Sequence, residues 1–238
     1  MEAMTTALIT GANKGIGFEI ARRLGERGIT AIVGARDEER GRAAAERLGQ
    51  PYVRLDVTDP GSAQDAAKWI EQEHGGLDIL VNNAGIIVWQ DDDRPSATSA
   101  DVLRQVYEVN VFGVATVTNA MLPLLRRSPA GRVVNMSSEL GSIAMAIDPE
   151  SPFWPFNLMA YNSSKAALNM ITVSYAKELW DTPIKVNAAN PGYCATDLNG
   201  HTGHRTAEQG AEIAVRLATL GGEGPSGGYL QDEGTLPW

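Results

Sequence analysis

Short apolar runs recur along the chain, each followed by a longer segment in which apolar residues return every three or four positions. The runs at residues 7–10, 31–34, 52–55, 79–82, 132–136, 184–187 and 228–231 predict seven strands. The segments 15–27, 38–48, 62–73, 100–127, 159–180 and 206–220, rich in Ala, Leu, Glu and Arg, predict helices. Strands alternating with helices imply βαβ units, so the expected fold is α/β: a doubly wound parallel sheet of about seven strands with helices on both faces. No linker divides the pattern and no repeat of fixed period is present, which makes residues 1–238 a single expected domain. In such sheets ligands bind beyond the C-terminal ends of the strands, so the residues that follow each strand are the ones to read for chemistry.

The first of these stretches is "LITGANKGIG", residues 8–17. Gly11, Gly15 and Gly17 lie between a strand and a helix, where glycines permit a tight turn and close approach of backbone to a pyrophosphate held at the helix N-terminus. The spacing, G-x-x-x-G-x-G, differs from the commoner dinucleotide pattern. After the second strand comes "IVGARDEERG", with Ala35 at the strand end and Arg36 next. An acid at that place binds the ribose 2′-hydroxyl of NAD, whereas a 2′-phosphate favours a cation. Arg36 with Lys14 from the glycine loop therefore points to NADP(H). Asp37 keeps NAD as the weaker option, and Arg36 as the mere start of a charged helix is the plain structural alternative.

Composition narrows the partners. The 238 residues are 43% apolar, and 29 acidic against 20 basic residues give a net charge of −9. That balance argues against nucleic acid or an anionic membrane as the main partner. Cys194 stands alone, which excludes an internal disulfide and a Cys-rich zinc site. No long uninterrupted apolar run is evident, and the sequence passes at once into "TTALITGA". A cytoplasmic protein acting on a small molecule is the expectation.

"MAYNSSKAAL", residues 159–168, places Tyr161 and Lys165 one helical turn apart. They are either an ordinary surface pair on one helix face or a phenol whose pKa, near 10 when unperturbed, is lowered by a neighbouring ammonium so that it serves as acid or base.

With "TGANKGIG", "NNAG" at residues 82–85, "VNMSS" at 134–138 and "YNSSK" at 161–165, the chain resembles the short-chain dehydrogenase/reductase family. "LDVTD" at 55–59 and "NPG" at 190–192, with Thr196 soon after, are similar to the family's adenine- and nicotinamide-flanking segments. The resemblance implies a Rossmann-like fold and an oxidoreductase that exchanges hydride between nicotinamide and a ketone, aldehyde or secondary alcohol. It implies Tyr161 as proton donor, Ser138 as the residue that hydrogen-bonds the reacting oxygen, and Lys165 as the group that lowers the tyrosine pKa and binds the nicotinamide ribose. Asn110, in "EVNVFG", would anchor a water in a proton relay. Gly11, Asn13, Lys14, Gly15, Ile16 and Gly17 would hold the cofactor's phosphates, with Arg36 at the 2′-phosphate. Asp56 and Val57 would meet adenine, Asn83, Ala84 and Gly85 would line the cofactor, Pro191 and Gly192 would flank the nicotinamide, and Thr196 would bond its carboxamide or the pyrophosphate. Ser137 is the alternative to Ser138 if the register differs by one.

From Ser138 to Tyr161 the chain is longer than is usual in the family. The extra material includes "DPESPFWPFNLM", residues 148–159, whose prolines predict an ordered loop near the active site. In this the chain is similar to the carbonyl reductase branch. Phe153, Trp154 and Phe156 either line an apolar substrate pocket with Trp89, Tyr193 and Met145, or only pack the loop down or form a subunit contact. The segment 196–210 is read as a lid. His201 and His204 lack a clear third ligand, so no metal is expected, and Cys194 is read as a thiol that fills space. A homo-oligomer and a monomer both remain open. The competing functions are a 3-oxoacyl thioester reductase and a non-catalytic NADP(H)-sensing regulator.

Overall fold

A computed structural model describes residues 5–238 apart from Asp91 and Asp93, so those two members of the polar stretch "QDDDRPSATSAD" lie outside the described residues. The strands are β1 (Thr6–Thr10), β2 (Thr30–Ala35), β3 (Tyr52–Arg54), β4 (Ile79–Asn82), β5 (Arg132–Met136), β6 (Lys185–Ala189), β7 (Tyr229–Gln231) and β8 (Gly234–Thr235). They form one sheet in the order β3-β2-β1-β4-β5-β6-β7-β8. All neighbours run parallel except β7 and β8, which are antiparallel. The eighth strand was not expected from the sequence: with two residues it is too short to show a period. Strand six sits one to two residues later than expected, at Lys185–Ala189 rather than 184–187.

The helices are α1 (Gly15–Gly25), α2 (Glu38–Leu48), α3 (Pro60–His74), α4 (Ala100–Tyr107), α5 (Gly113–Leu125), α6 (Ile143–Ala146), α7 (Met159–Glu178) and α8 (Ala207–Ala218). Alternate residues of each strand feed two cores. Ile9, Val33, Val81 and Val134 pack with Ile20 and Leu24 of α1 and Ile213 of α8. Leu8, Ile32, Leu80 and Val133 pack with Ile70 of α3 and Val117 and Met121 of α5. Burial on both faces is why the strands read as nearly continuous apolar runs.

The single helix expected at 100–127 is instead broken. A π turn, Glu108–Phe112, separates α4 from α5. Such turns admit one extra residue and re-aim the side chains around it. The whole run Ala100–Leu125 is long and apolar enough to cross a membrane by length and composition, yet half of its most apolar window is buried in the molecule, as in a core helix.

Between β1 and β4 the winding reverses: the chain first moves outward through β2 and β3, then returns to build β4 to β7 on the other side. The crevice at the C-terminal ends of β1 and β4 is the switch point at which doubly wound sheets bind ligands.

Candidate active site

The glycine loop after β1 is fitted to the segment after β4. Gly11 has a φ of +64°, a conformation that L side chains rarely adopt. A Cβ at Gly17 would lie 2.4 Å from Asn83 Nδ2 and 2.8 Å from the Gly11 carbonyl oxygen, so only glycine lets α1 start this close to the turn. Asn83 Nδ2 donates to the Thr10 carbonyl at 2.9 Å, and the backbone N–H groups of Asn83 and Ala84 both donate to Thr10 Oγ1. This stitching fixes the floor of the crevice. Asn13, Lys14 and Ile16 stand in the turn or first turn of α1 above it.

At the end of β2, Arg36 is exposed and makes no ion pair among the described residues. Asp37, the NAD-favouring alternative, is occupied: its Oδ1 accepts from Arg40 N at 3.0 Å and caps α2. Lys14 does not stand free beside Arg36. Its Nζ pairs with Asp197 in the segment after β6, because the glycine loop and that segment face each other across the crevice. A Cβ at Gly15 would lie 3.7 Å from Thr196 Cγ2. Asp56 Oδ1 accepts from the backbone and hydroxyl of Thr58, and Val57 packs where a Cβ at Gly113 would stand. Bare glycine backbone before a helix and an unpaired guanidinium at the end of β2 together fit a phosphorylated dinucleotide.

The expected catalytic residues converge from three elements. Ser138, two residues beyond the end of β5, caps the following 3-10 turn by accepting from Leu140 N. Ser137 is not free for that work, since its Oγ donates to Asn169 Oδ1 at 2.6 Å. The structure therefore brings Ser138, not Ser137, to Tyr161. Tyr161 and Lys165 lie in the first turns of α7 and are almost wholly buried.

The lowering of the Tyr161 pKa expected of Lys165 is outweighed: burial pushes the phenol well above its ordinary range, and the Ser138 hydroxyl beside it opposes that rise. Lys165 Nζ stands 5.6 Å from the Tyr161 ring centroid and donates to the Met136 carbonyl at 2.7 Å. Burial without a carboxylate partner lowers the lysine to about 8.

Asn110 is fully buried in the π turn. Its Oδ1 accepts from Ile86 N, and its Nδ2 donates to the Ile86 carbonyl and to Ser164 Oγ. It clamps the chain after β4 to α7. Gly85 lies beside both residues: a Cβ there would stand in ordinary contact, 3.4 Å from Asn110 Oδ1 and 3.6 Å from Lys165 Nζ.

Ser138 and Tyr161 open on a cavity of about 500 Å³. Phe153 and Phe156 of the inserted loop line it, as do Trp89 and Tyr193. Two of the expected aromatic or apolar positions fall elsewhere. Trp154 is exposed, and Met145 packs against Ala188, Tyr229 and Leu236. Residues 196–210 form a tied strap: Trp89 Nε1 donates to the Leu198 carbonyl, and Arg205 pairs with Asp232. His201 pairs with Asp197 and His204 lies against the Tyr193 ring, so the two histidines have different neighbours. The Cys194 thiol is buried and pushed up to about 11.

Glu139 was not foreseen. It is buried on the cavity wall beside Ser138. Its signal was available: an acid immediately after a strand and its serine pair stands where the fold collects ligand-binding residues.

The chain belongs to the short chain dehydrogenase family, which it matches over residues 5–207. Short-chain dehydrogenase anuI of Penicillium roqueforti (strain FM164) is 42% identical over 242 residues, covering 96% of this chain and 94% of that one. Carbonyl reductase (NADPH) 1 of Mus musculus is 34% identical, covering 98% of each chain. Among solved structures, an NADPH-bound carbonyl reductase from chicken fatty liver superposes with a TM-score of 0.86 at 27% identity, covering 99% of each chain. The chain is thus an oxidoreductase of this family.

Proposed function

We propose that this protein is an NADP(H)-dependent carbonyl reductase that interconverts an apolar ketone or aldehyde and its alcohol. The observation that carries the reading is the convergence of Ser138 and Tyr161 on one cavity, with Lys165 buried behind the tyrosine. The unpaired Arg36 at the end of β2 and the engagement of Asp37 as a helix cap favour NADP(H) over NAD(H). The NADPH-named relatives support the same choice.

A nicotinamide cofactor held in the crevice would supply the hydride that reduces the carbonyl carbon. Negative charge then builds on the carbonyl oxygen, where the Ser138 and Tyr161 hydroxyls act as the two donors. Because burial keeps Tyr161 protonated at rest, it enters the reaction as an acid and gives its proton to that oxygen. The resulting phenolate is stabilised by the nearby Lys165 ammonium, whose pKa of about 8 also lets it pass a proton to Tyr161 near neutral pH. Gly11, Asn13, Gly15, Ile16 and Gly17 would take the pyrophosphate side, Asp56, Val57, Asn83, Ala84 and Gly85 the adenosine side, and Pro191, Gly192 and Thr196 the nicotinamide side. Lys14 joins Arg36 at the 2′-phosphate only by exchanging Asp197 for it.

The thioester-reductase alternative draws no support from the cavity wall. Its basic residues, Arg205 and His204, are matched by Glu139 and Glu233, and Arg205 is already paired with Asp232. The test is reduction of aromatic ketones, aldehydes and quinones, with 3-oxoacyl thioesters alongside, using NADPH and NADH in parallel. Turnover of the apolar carbonyls with NADPH supports the reading. Turnover confined to thioesters, or tight NADPH binding with no turnover at all, contradicts it and favours the thioester reductase or the sensor.

A further inference from the structure

Glu139 carries a carboxyl that the reaction outlined above does not use. It is only 9% exposed, yet it forms part of the cavity wall immediately after Ser138. Its Oε2 is sealed from solvent and has no hydrogen-bond partner among the described residues. A buried polar atom left in that state costs about 1–3 kcal/mol, and native structures hold few of them. The carboxyl's neighbours within the fold are the Asn190 side chain and its own backbone N–H, and they leave Oε2 unmatched. The bond that anchors residue 139 runs from its backbone N–H to Asn190 Oδ1, and any residue would make it.

The same wall holds a second orphan. Arg205 Nε is buried without a hydrogen-bond partner among the described residues, although its Nη2 pairs with Asp232 and donates to the Gln209 carbonyl. The charges facing the Glu139 carboxyl come from His204 and Arg205, and the uncharged Asn190 amide lies beside it. Tyr161 and Tyr229 in turn feel its charge. These neighbours decide what ligand group suits the position. A substrate cation would meet Arg205, and a substrate anion would meet Glu139 itself. A hydroxyl suffers neither penalty: it donates to a carboxylate and accepts from a carboxylic acid, so it satisfies Glu139 in either state. Phe153, Phe156 and Trp89 supply apolar contact for the remainder of the molecule.

Building on the carbonyl-reductase reading, we propose that Glu139 is a specificity-determining residue that turns its carboxyl out of the cavity wall to hydrogen-bond a hydroxyl group of the substrate while Ser138 and Tyr161 hold its carbonyl. The preferred substrates are then ketones or aldehydes that carry a hydroxyl on an otherwise apolar or aromatic skeleton.

The test compares kcat/KM for acetophenone, α-hydroxyacetophenone, the three ring-hydroxylated acetophenones and the methyl ethers of all four. In the wild type at least one hydroxyl compound should exceed both its parent and its methyl ether by roughly tenfold or more, the discrimination typical of a buried hydrogen-bonding group. In Glu139→Leu that ratio should fall to near one, and in Glu139→Gln, whose amide still bonds a hydroxyl, most of it should remain. A wild-type ratio near one overturns the inference even if the leucine variant fails to fold, and so does a ratio that survives unchanged in Glu139→Leu. Reduction of the parent ketones without any hydroxyl preference removes this inference alone. Failure of the wild type to reduce any of these ketones with NADPH removes the carbonyl-reductase reading with it.

Discussion

Lys165 Nζ donates a 2.7 Å hydrogen bond to the carbonyl of Met136, the last residue of β5. This one bond ties the helix that bears Tyr161 to the strand end that delivers Ser138. It also explains how an ammonium is held in the interior with no carboxylate beside it. The cost of that placement is visible in the lysine's lowered pKa, about 8 against an ordinary 10.5.

The lowered value makes a stability prediction of definite sign. Below pH 8 the amine is charged in both states, and only the folded state bears the desolvation penalty, worth about 3 kcal/mol for a shift of this size. As pH rises from 8 to 10.5 the folded chain releases the proton first, so the unfolded chain binds more protons and the penalty is relieved. Lys165→Met should therefore be more stable than the wild type at pH 7 in the absence of cofactor, by about 1–2 kcal/mol once the unpaired Met136 carbonyl is counted. The difference should shrink toward pH 10. Urea unfolding at pH 7 and 9.5 checks it, and a variant less stable by the same amount at both pH values contradicts it.

Arg36 is expected to select the cofactor. Arg36→Glu should lower kcat/KM for NADPH by roughly a hundredfold, as loss of a charge-assisted phosphate contact and gain of a repulsion imply, with NADH use unchanged or improved. Asp37→Ala provides the contrast. Because Asp37 caps α2, its loss should cost about 1 kcal/mol of stability and leave the cofactor preference as it was. Steady-state kinetics with both cofactors and thermal melts of both variants separate the two roles.

Asn110 is expected to act first through the fold. Asn110→Ala removes the partner of the half-buried N–H and carbonyl of Ile86, while the Ser164 hydroxyl keeps its bond to the Tyr161 carbonyl, which predicts a loss of about 1–3 kcal/mol. Equilibrium unfolding measures it. A loss below about 0.5 kcal/mol would show that water replaces the amide without strain.

The strand pattern and the motif residues were legible because they are local. Apolar runs that bury both faces, glycines between β1 and α1, and the Tyr161–Lys165 spacing each depend on a few neighbouring residues. What was not legible depends on distance along the chain. Lys14 reads as a free cation until the fold brings Asp197 to it from 183 positions away. Asn110 reads as part of a regular helix, because a π turn adds one residue without altering the apolar pattern that predicts helix. The rise in the Tyr161 pKa likewise comes from burial that no spacing reveals. Phe153 and Phe156 read no differently from Trp154, yet only the first two reach the cavity.

The most direct test of the account is Tyr161→Phe, which removes one oxygen atom and leaves the ring that packs against Lys165. NADPH oxidation in the presence of the best carbonyl substrate and NADPH binding by fluorescence titration should be measured on the same preparation. Loss of the proton donor predicts a fall in kcat of roughly a hundredfold to ten-thousandfold, with the NADPH dissociation constant changed by less than about threefold. A variant that binds NADPH normally and keeps wild-type turnover would show that the proton comes from elsewhere and that the site has been misassigned.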